Sequence, residues 1–156
     1  MKYINKKLTI ENVTIDKIAK KYGTPSYCYS FNKLKENINN FKKSFKSFSP
    51  LICFSVKSNA NVSLIREIKK FGLGADVVSI GELIAAIKAG INPKKIVFSG
   101  VGKTLEEINY AVDKKILLIN AESQSEIKQI EKVAKSKRKK VQVGIRLNPD
   151  TDAKTL

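Results

Sequence analysis

From Leu51 onward, short apolar runs alternate with helical patterns, and no other feature of this chain restricts its fold as much. Leu51–Val56, Ala75–Ser79, Lys95–Phe98, Ile116–Ile119 and Val141–Leu147 read as strands, being short, apolar and rich in β-branched and aromatic residues. Between them the apolar residues fall at three- and four-residue spacing, one face of a helix: Leu64, Ile65, Ile68 and Phe71; Leu83, Ile84 and Ile87; Leu105, Ile108 and Val112; Ile127, Ile130 and Val133. Gly72, Gly74, Gly90 and Asn92-Pro93 punctuate the series. Such alternation builds βαβ units and a parallel sheet. The expected class is α/β, with five parallel strands, intervening helices and both sheet faces covered.

Upstream, Thr14 is a suitable N-cap for a short helix carrying Ile15, Ile18, Ala19 and Tyr22, stopped by Gly23 and Pro25. Ser26–Ser30 reads as a short strand. A long helix follows with Leu34, Ile38, Phe41, Phe45 and Phe48 on one face, ended by Ser49-Pro50. Residues 1–30 are therefore expected to form an N-terminal helix and strand segment, and residues 31–156 a partial barrel domain. The 156 residues suffice for one domain with a core. They fall short of the about 250 residues of a complete (β/α)8 barrel.

The net charge of +16 suggests a nucleic-acid binder, but its distribution argues otherwise. It comes from 27 Lys and 3 Arg spread along the whole chain, whereas nucleic-acid readers cluster their basic residues and favour the arginine fork. No specific nucleic-acid partner is expected. The one dense run, Lys135-Ser136-Lys137-Arg138-Lys139-Lys140, suits the exposed C-terminal end of a helix. Cys28 and Cys53 each fall in an expected strand as small buried thiols, and two cysteines make no disulfide framework, which fits a reducing, cytoplasmic setting. There is no histidine and no metal-ligand spacing, so no metal is expected. The N-terminus lacks the apolar stretch of a signal peptide, and no run approaches the ~20 apolar residues of a membrane span.

A parallel sheet collects the C-terminal ends of its strands at one rim, where barrel enzymes carry their chemistry. Here that rim would hold Lys57 and Asn59; Asp76 and Ser79; Ser99 and Gly100; Asn120, Glu122 and Ser123; Arg146, Asn148 and Asp150. Lys57 closes the run Leu51-Ile52-Cys53-Phe54-Ser55-Val56, which places a partly desolvated amine at the mouth of a buried strand. An amine so placed is suited to Schiff-base chemistry with a carbonyl. Ser123 precedes Glu126 by three residues, a capping-box spacing, and Glu82 opens a helix where a carboxylate suits the dipole.

Six motifs then carry a resemblance, in order. Tyr22-Gly23-Thr24-Pro25-Ser26-Tyr27 and Phe54-Ser55-Val56-Lys57-Ser58-Asn59 resemble the start of the fold-type III pyridoxal-phosphate decarboxylases. Asp76-Val77-Val78-Ser79-Ile80-Gly81-Glu82-Leu83 and Ile96-Val97-Phe98-Ser99-Gly100-Val101-Gly102-Lys103-Thr104 are similar to the diaminopimelate decarboxylase family within that group. Asn120-Ala121-Glu122-Ser123 and Arg146-Leu147-Asn148-Pro149-Asp150 continue the match. The resemblance covers the chain from about residue 20 onward.

It implies the N-terminal portion of a (β/α)8 TIM barrel of the alanine racemase-like type, incomplete here, and pyridoxal 5'-phosphate as cofactor. Lys57 is implied as the Schiff-base and catalytic residue, Asp76 and Arg146 as cofactor-binding residues, Arg146 near the phenolic oxygen. Asn59 and Ser79 are implied in lesser cofactor contacts and Glu82 at the rim. The implied reaction converts meso-2,6-diaminopimelate to L-lysine and CO2, with a small-molecule amino-acid substrate and a homodimer of the full-length protein. The alternatives are an ornithine- or arginine-type decarboxylase of the same fold and a non-catalytic pyridoxal-phosphate-binding barrel. The family also uses a ring-stacking histidine, a glycine-rich phosphate cradle, an acidic partner of the pyridine nitrogen and a C-terminal β domain with a catalytic cysteine and a tyrosine. None is found here, so the chain is expected to be a truncated form with little activity alone, a half barrel with two unpaired sheet edges and one poorly covered face.

Overall fold

Asn5 and Lys6 both take positive φ, 49° and 61°, and turn the chain back between two paired strands. A two-residue loop with two left-handed residues matches the natural twist of a hairpin. The computed structural model describes residues 1–149; of the rim residues expected from sequence, Asp150 lies outside the described residues. Strands β1 (Lys2–Ile4), β2 (Lys7–Ile10) and β3 (Val13–Thr14) form an antiparallel sheet in that order. Its register pairs Ile4 with Lys7 and Ile10 with Val13. These strands are too short and too polar to show as a pattern, and the sequence reading did not include them.

Helix α1 (Ile15–Tyr22) begins and ends where expected: the Thr14 hydroxyl accepts from the Lys17 N–H, and Gly23 closes the helix at φ 80°. Ser26–Ser30 does not form a strand. It has no strand to pair with, and its last residue is committed elsewhere. Ser30 caps helix α2 (Phe31–Ser44) and donates its hydroxyl to Glu11 Oε1 at 2.9 Å. The Asn32 N–H also donates to Glu11, and these bonds hold its carboxyl below the usual range. Cys28 is consequently exposed and outside any strand, contrary to expectation. Helix α2 stops at Ser44, so Phe45 and Phe48 lie in the turns that follow.

The chain divides into two compact units, Met1–Pro50 and the residues from Leu51 on. In the second unit the five expected strands are present and all parallel: β4 (Cys53–Ser55), β5 (Gly74–Val77), β6 (Ile96–Phe98), β7 (Leu118–Ala121) and β8 (Val143–Ile145), in sequential order. Helices α3 (Val62–Lys69), α4 (Ile80–Lys88), α5 (Leu105–Lys114) and α6 (Gln124–Ser136) connect them in turn. This is the strand order of a (β/α) barrel, here a partial one.

One face of the sheet is fully buried. Ala75, Val77, Ile96, Phe98 and Ile119 are inaccessible to solvent and pack in one core with Ile65, Leu83 and Ile108 of the helices. The other face is the poorly covered one expected of a half barrel: Cys53, Ser55, Asp76, Val97, Leu118 and Asn120 are only half-buried. Helices cover one side of the sheet, and the alternation of side chains along each strand sends these residues to the other. At Gly74 a Cβ would run into the Lys95 carbonyl oxygen and Cys53 Sγ, so the approach of neighbouring chain there requires glycine.

The basic run after α6 is the expected helix end, and part of it is paired. Lys137 and Lys139 bind the two oxygens of Asp113 at 2.6 and 2.8 Å. Those hydrogen bonds, Lys137 first, lower the Asp113 pKa from 3.8 to about 2. A carboxyl depressed in the fold takes up a proton more readily in the unfolded chain. Its stabilising effect is complete above the ordinary carboxyl range and is lost as pH falls toward about 2. In Asp113→Asn that part of the acid sensitivity should vanish. Urea midpoints at pH 5 and pH 3 check this: the wild type should lose more stability between them than the variant, and equal losses would refute the assignment.

Candidate active site

The C-terminal ends of β4 to β8 carry the polar groups expected of a barrel mouth, and several are bonded to each other across strands. Asp76 Oδ1 accepts the Ser99 hydroxyl at 2.7 Å, and Ser99 Oγ accepts from the Asn120 amide at 3.1 Å. This links β5, the end of β6 and β7 through three half-buried side chains. Glu122, with its side chain 9% exposed, accepts the Gly100 N–H at 2.8 Å and lies 3.5 Å from Arg146 Nη1. The Arg146 Nε donates to Asn148 Oδ1 at 3.3 Å, and the guanidinium remains largely exposed. Asp76, Ser99 and Asn120 thus form one cluster, and Glu122, Arg146 and Asn148 a second.

Lys57 sits differently from the expectation of a desolvated strand terminus. β4 ends at Ser55, and Val56–Ser58 form a single helical turn that carries Lys57 exposed at the mouth. Val56 is fully buried beneath it and fixes the turn, while the Ser58 hydroxyl closes on the Ser55 carbonyl at 2.7 Å. Among the described residues Lys57 Nζ has no hydrogen-bond or ion-pair partner, which leaves its amine available. Asn59 makes a local turn, its Oδ1 accepting the Asn61 N–H at 3.0 Å.

Ser79 and Glu82 are engaged at the start of α4. The Ser79 hydroxyl accepts the Glu82 N–H, and Glu82 Oε2 reaches back to the Val78 N–H at 2.9 Å. The same arrangement recurs at α6, where Ser123 caps the Glu126 N–H and Glu126 Oε2 accepts from the Glu122 N–H at 2.7 Å. The expected capping box at Ser123 is therefore half realised, because the glutamate bonds one residue before the cap. At α5 the box is complete between Thr104 and Glu107, and Glu107 Oε1 also takes the Ile80 N–H of α4 at 2.9 Å. Burial raises the Glu107 pKa, but bonds from Thr104 and Ile80 outweigh it and keep the carboxyl below its usual range.

The residue that sequence reasoning missed is Lys103, whose side chain is 2% exposed. Its Nζ donates to the Gly100 carbonyl at 2.6 Å, the Asn120 carbonyl at 2.7 Å and Glu126 Oε1 at 2.9 Å. Its signal lay in the quoted Gly100-Val101-Gly102-Lys103 stretch, but its partner lies 23 residues further on and no local pattern announces it. Cys53, on the sheet face with Asp76, has its thiol pushed up by burial and secondly by the Asp76 charge, so it stays a thiol rather than a reactive thiolate.

An available amine, a guanidinium and a bonded carboxylate at one strand-end mouth form a donor set that fits an anionic aldehyde cofactor. Residues 31–156 match the family model described as pyridoxal-dependent decarboxylase, pyridoxal binding domain, and the chain belongs to that family. It is 44% identical over 155 residues to diaminopimelate decarboxylase of Aquifex aeolicus, covering 99% of this chain and 36% of the relative. The crystal structure of diaminopimelate decarboxylase from Helicobacter pylori complexed with L-lysine superposes with a TM-score of 0.86 at 45% identity, over 90% of this chain and 36% of that one. The arginine decarboxylase of Paramecium bursaria Chlorella virus has a TM-score of 0.73 at 19% identity, covering 88% and 37%, a likeness of fold alone. The chain spans little more than a third of the length of these relatives. Among the described residues no helix is long and apolar enough to cross a membrane, and no acidic, histidine or cysteine group is placed to hold a metal.

Proposed function

We propose that this chain forms part of the cofactor-binding barrel of a diaminopimelate decarboxylase, acting on meso-2,6-diaminopimelate to give L-lysine and CO2. The observation that carries the reading is an unpartnered Lys57 at the strand mouth, within a chain 44% identical to such an enzyme over nearly its full extent. The identity of 44–45% to diaminopimelate decarboxylases, against 26% to an ornithine decarboxylase, supports this substrate over the ornithine type. Residues 31–156, where the family match lies, are read as the barrel domain and residues 1–30 as a separate N-terminal segment. A homodimer and a cytoplasmic setting follow from the same reading.

Pyridoxal phosphate, when bound, supplies an electron sink for the electron pair left as carbon dioxide departs. Lys57 Nζ is the group that would hold its aldehyde carbon, and Arg146 the cation that would face its phenolic oxygen. Asp76, held by Ser99, keeps a carboxylate at the same rim. Asn59, Ser79 and Glu82 shape the loops around it through the turn and cap bonds they make.

The substrate is tested on the gene product carrying this domain, by following lysine formation from meso-diaminopimelate with ornithine and arginine as competitors. A preference for diaminopimelate of about 100-fold or more in kcat/KM is expected. Preference for ornithine or arginine would overturn the assignment. The 156-residue chain by itself is expected to show little turnover, its Lys57 being exposed to water.

A further inference from the structure

A buried ion pair is an expensive way to join the loop before α5 to the first turn of α6. Taking the Lys103 ammonium and the Glu126 carboxylate out of water costs several kcal/mol each, and an apolar pair of similar volume often does as well. The pair is understood better by what it holds. Lys103 Nζ grips the backbone just after β6, at the Gly100 carbonyl, and within β7, at the Asn120 carbonyl. Glu126 takes the same ammonium with one oxygen and the Glu122 N–H with the other. One cation therefore sets the backbone at residues 100, 120 and 122.

Both charged clusters of the mouth hang from those three points. Asn120 reaches Ser99, which donates to Asp76. Glu122 receives the Gly100 N–H and faces Arg146 with the same oxygen. We propose that Lys103, with Glu126, is a positioning residue that aims Arg146 and Asp76 at the cofactor by fixing the ends of β6 and β7. This rests on the reading of the mouth as the pyridoxal-phosphate site. The Lys103 ammonium is not free to act at the mouth itself: its three donors are committed to the three oxygens, and Nζ lies over the Phe98 ring, 5.6 Å from its centroid.

The test uses Lys103→Met combined with Glu126→Leu, which removes both charges and keeps the volume filled. Arg66, Arg138 and Arg146 are the only arginines, so the Arg146 Nε–H signal is resolved in a nitrogen–proton NMR spectrum. In the double variant that signal should move as it does in Glu122→Gln. Exchange of the Gly100 and Glu122 amides should quicken about tenfold or more while the Phe98 and Ile119 amides stay protected. A folded double variant with an unmoved Arg146 signal and unchanged exchange would overturn the proposal. Glu126→Gln is a milder second break, expected to change the same three signals in the same direction, and no change there would also count against it.

The cofactor arm is borohydride trapping with added pyridoxal phosphate and mass mapping. Labelling of Lys57 in the double variant should fall about tenfold relative to the unaltered chain. Equal labelling in a variant whose Arg146 has moved would overturn the link between Lys103 and the cofactor. If the unaltered chain itself takes no label at Lys57, the reading of the mouth is at fault, and the Arg146 signal alone then decides whether Lys103 positions it.

Discussion

Replacement of Lys57 by arginine should remove about nine-tenths of the pyridoxal-phosphate label that borohydride fixes on the chain, an effect of ~1.4 kcal/mol or more in occupancy. Arginine keeps the charge and the length but cannot form the covalent link. The control is built into the composition, since 26 other lysines compete for the same aldehyde. If they react as surface amines, the total label will scarcely change when Lys57 is lost. If Lys57 is the selective site, one peptide carries most of the label and the variant loses it. In the gene product carrying this domain the same substitution should lower decarboxylation by about 10³-fold or more, roughly 4 kcal/mol of barrier. Its folding should be unaffected, because the side chain is exposed and makes no bond among the described residues. A variant that decarboxylates at the normal rate would remove Lys57 from the reaction.

The second large effect concerns stability. Lys103→Met alone should destabilise the fold by about 3–5 kcal/mol, because Glu126 is left charged in a site where its side chain is 7% exposed. The Gly100 and Asn120 carbonyls lose a donor at the same time. Adding Glu126→Leu removes the stranded charge and should recover about 2 kcal/mol of the loss, but not all of it, because the two carbonyls and the Glu122 N–H stay without their partners. Urea titrations of the two variants measure both figures. A single variant less than about 1 kcal/mol below wild type would mean that the site admits water and that the pair is not a true interior contact. The exposed pairs elsewhere, such as Lys33 with Glu36 and Lys135 with Glu131, should show only small effects when broken.

The second unit was legible in the sequence because its signals are local and repeated. Each strand is a short apolar run, and each helix shows its face at three- and four-residue spacing, so order and parallel pairing follow from chain topology. What the sequence obscured has physical causes. The β1–β3 sheet depends on left-handed Asn5 and Lys6, and lysine in that conformation gives no warning. Ser26–Ser30 has strand-like residues, but a strand needs a partner, and Ser30 serves α2 and Glu11 instead. The shift of Lys57 from strand end to helical turn arises because Val56 extends the apolar run one residue past the last ladder position at Ser55. The rim positions could be read from strand ends, yet their pairing could not. Asp76 with Ser99 and Glu122 with Arg146 join the ends of different strands, and Lys103 with Glu126 joins the loop before α5 to the start of α6.

The three Ser/Thr-x-x-Glu joints, at 79–82, 104–107 and 123–126, also act as rulers. Each glutamate stands three residues after its cap, and its carboxylate is tied to a backbone N–H outside its own helix or at the cap itself. Glu107 spans two helices, so an inserted residue between Thr104 and Glu107 would disturb the start of α4 as well as that of α5. A change of length is therefore costly inside each joint, and also in the loop before Thr104, where Gly100 and Lys103 hold the frame on which the charges of the mouth are mounted.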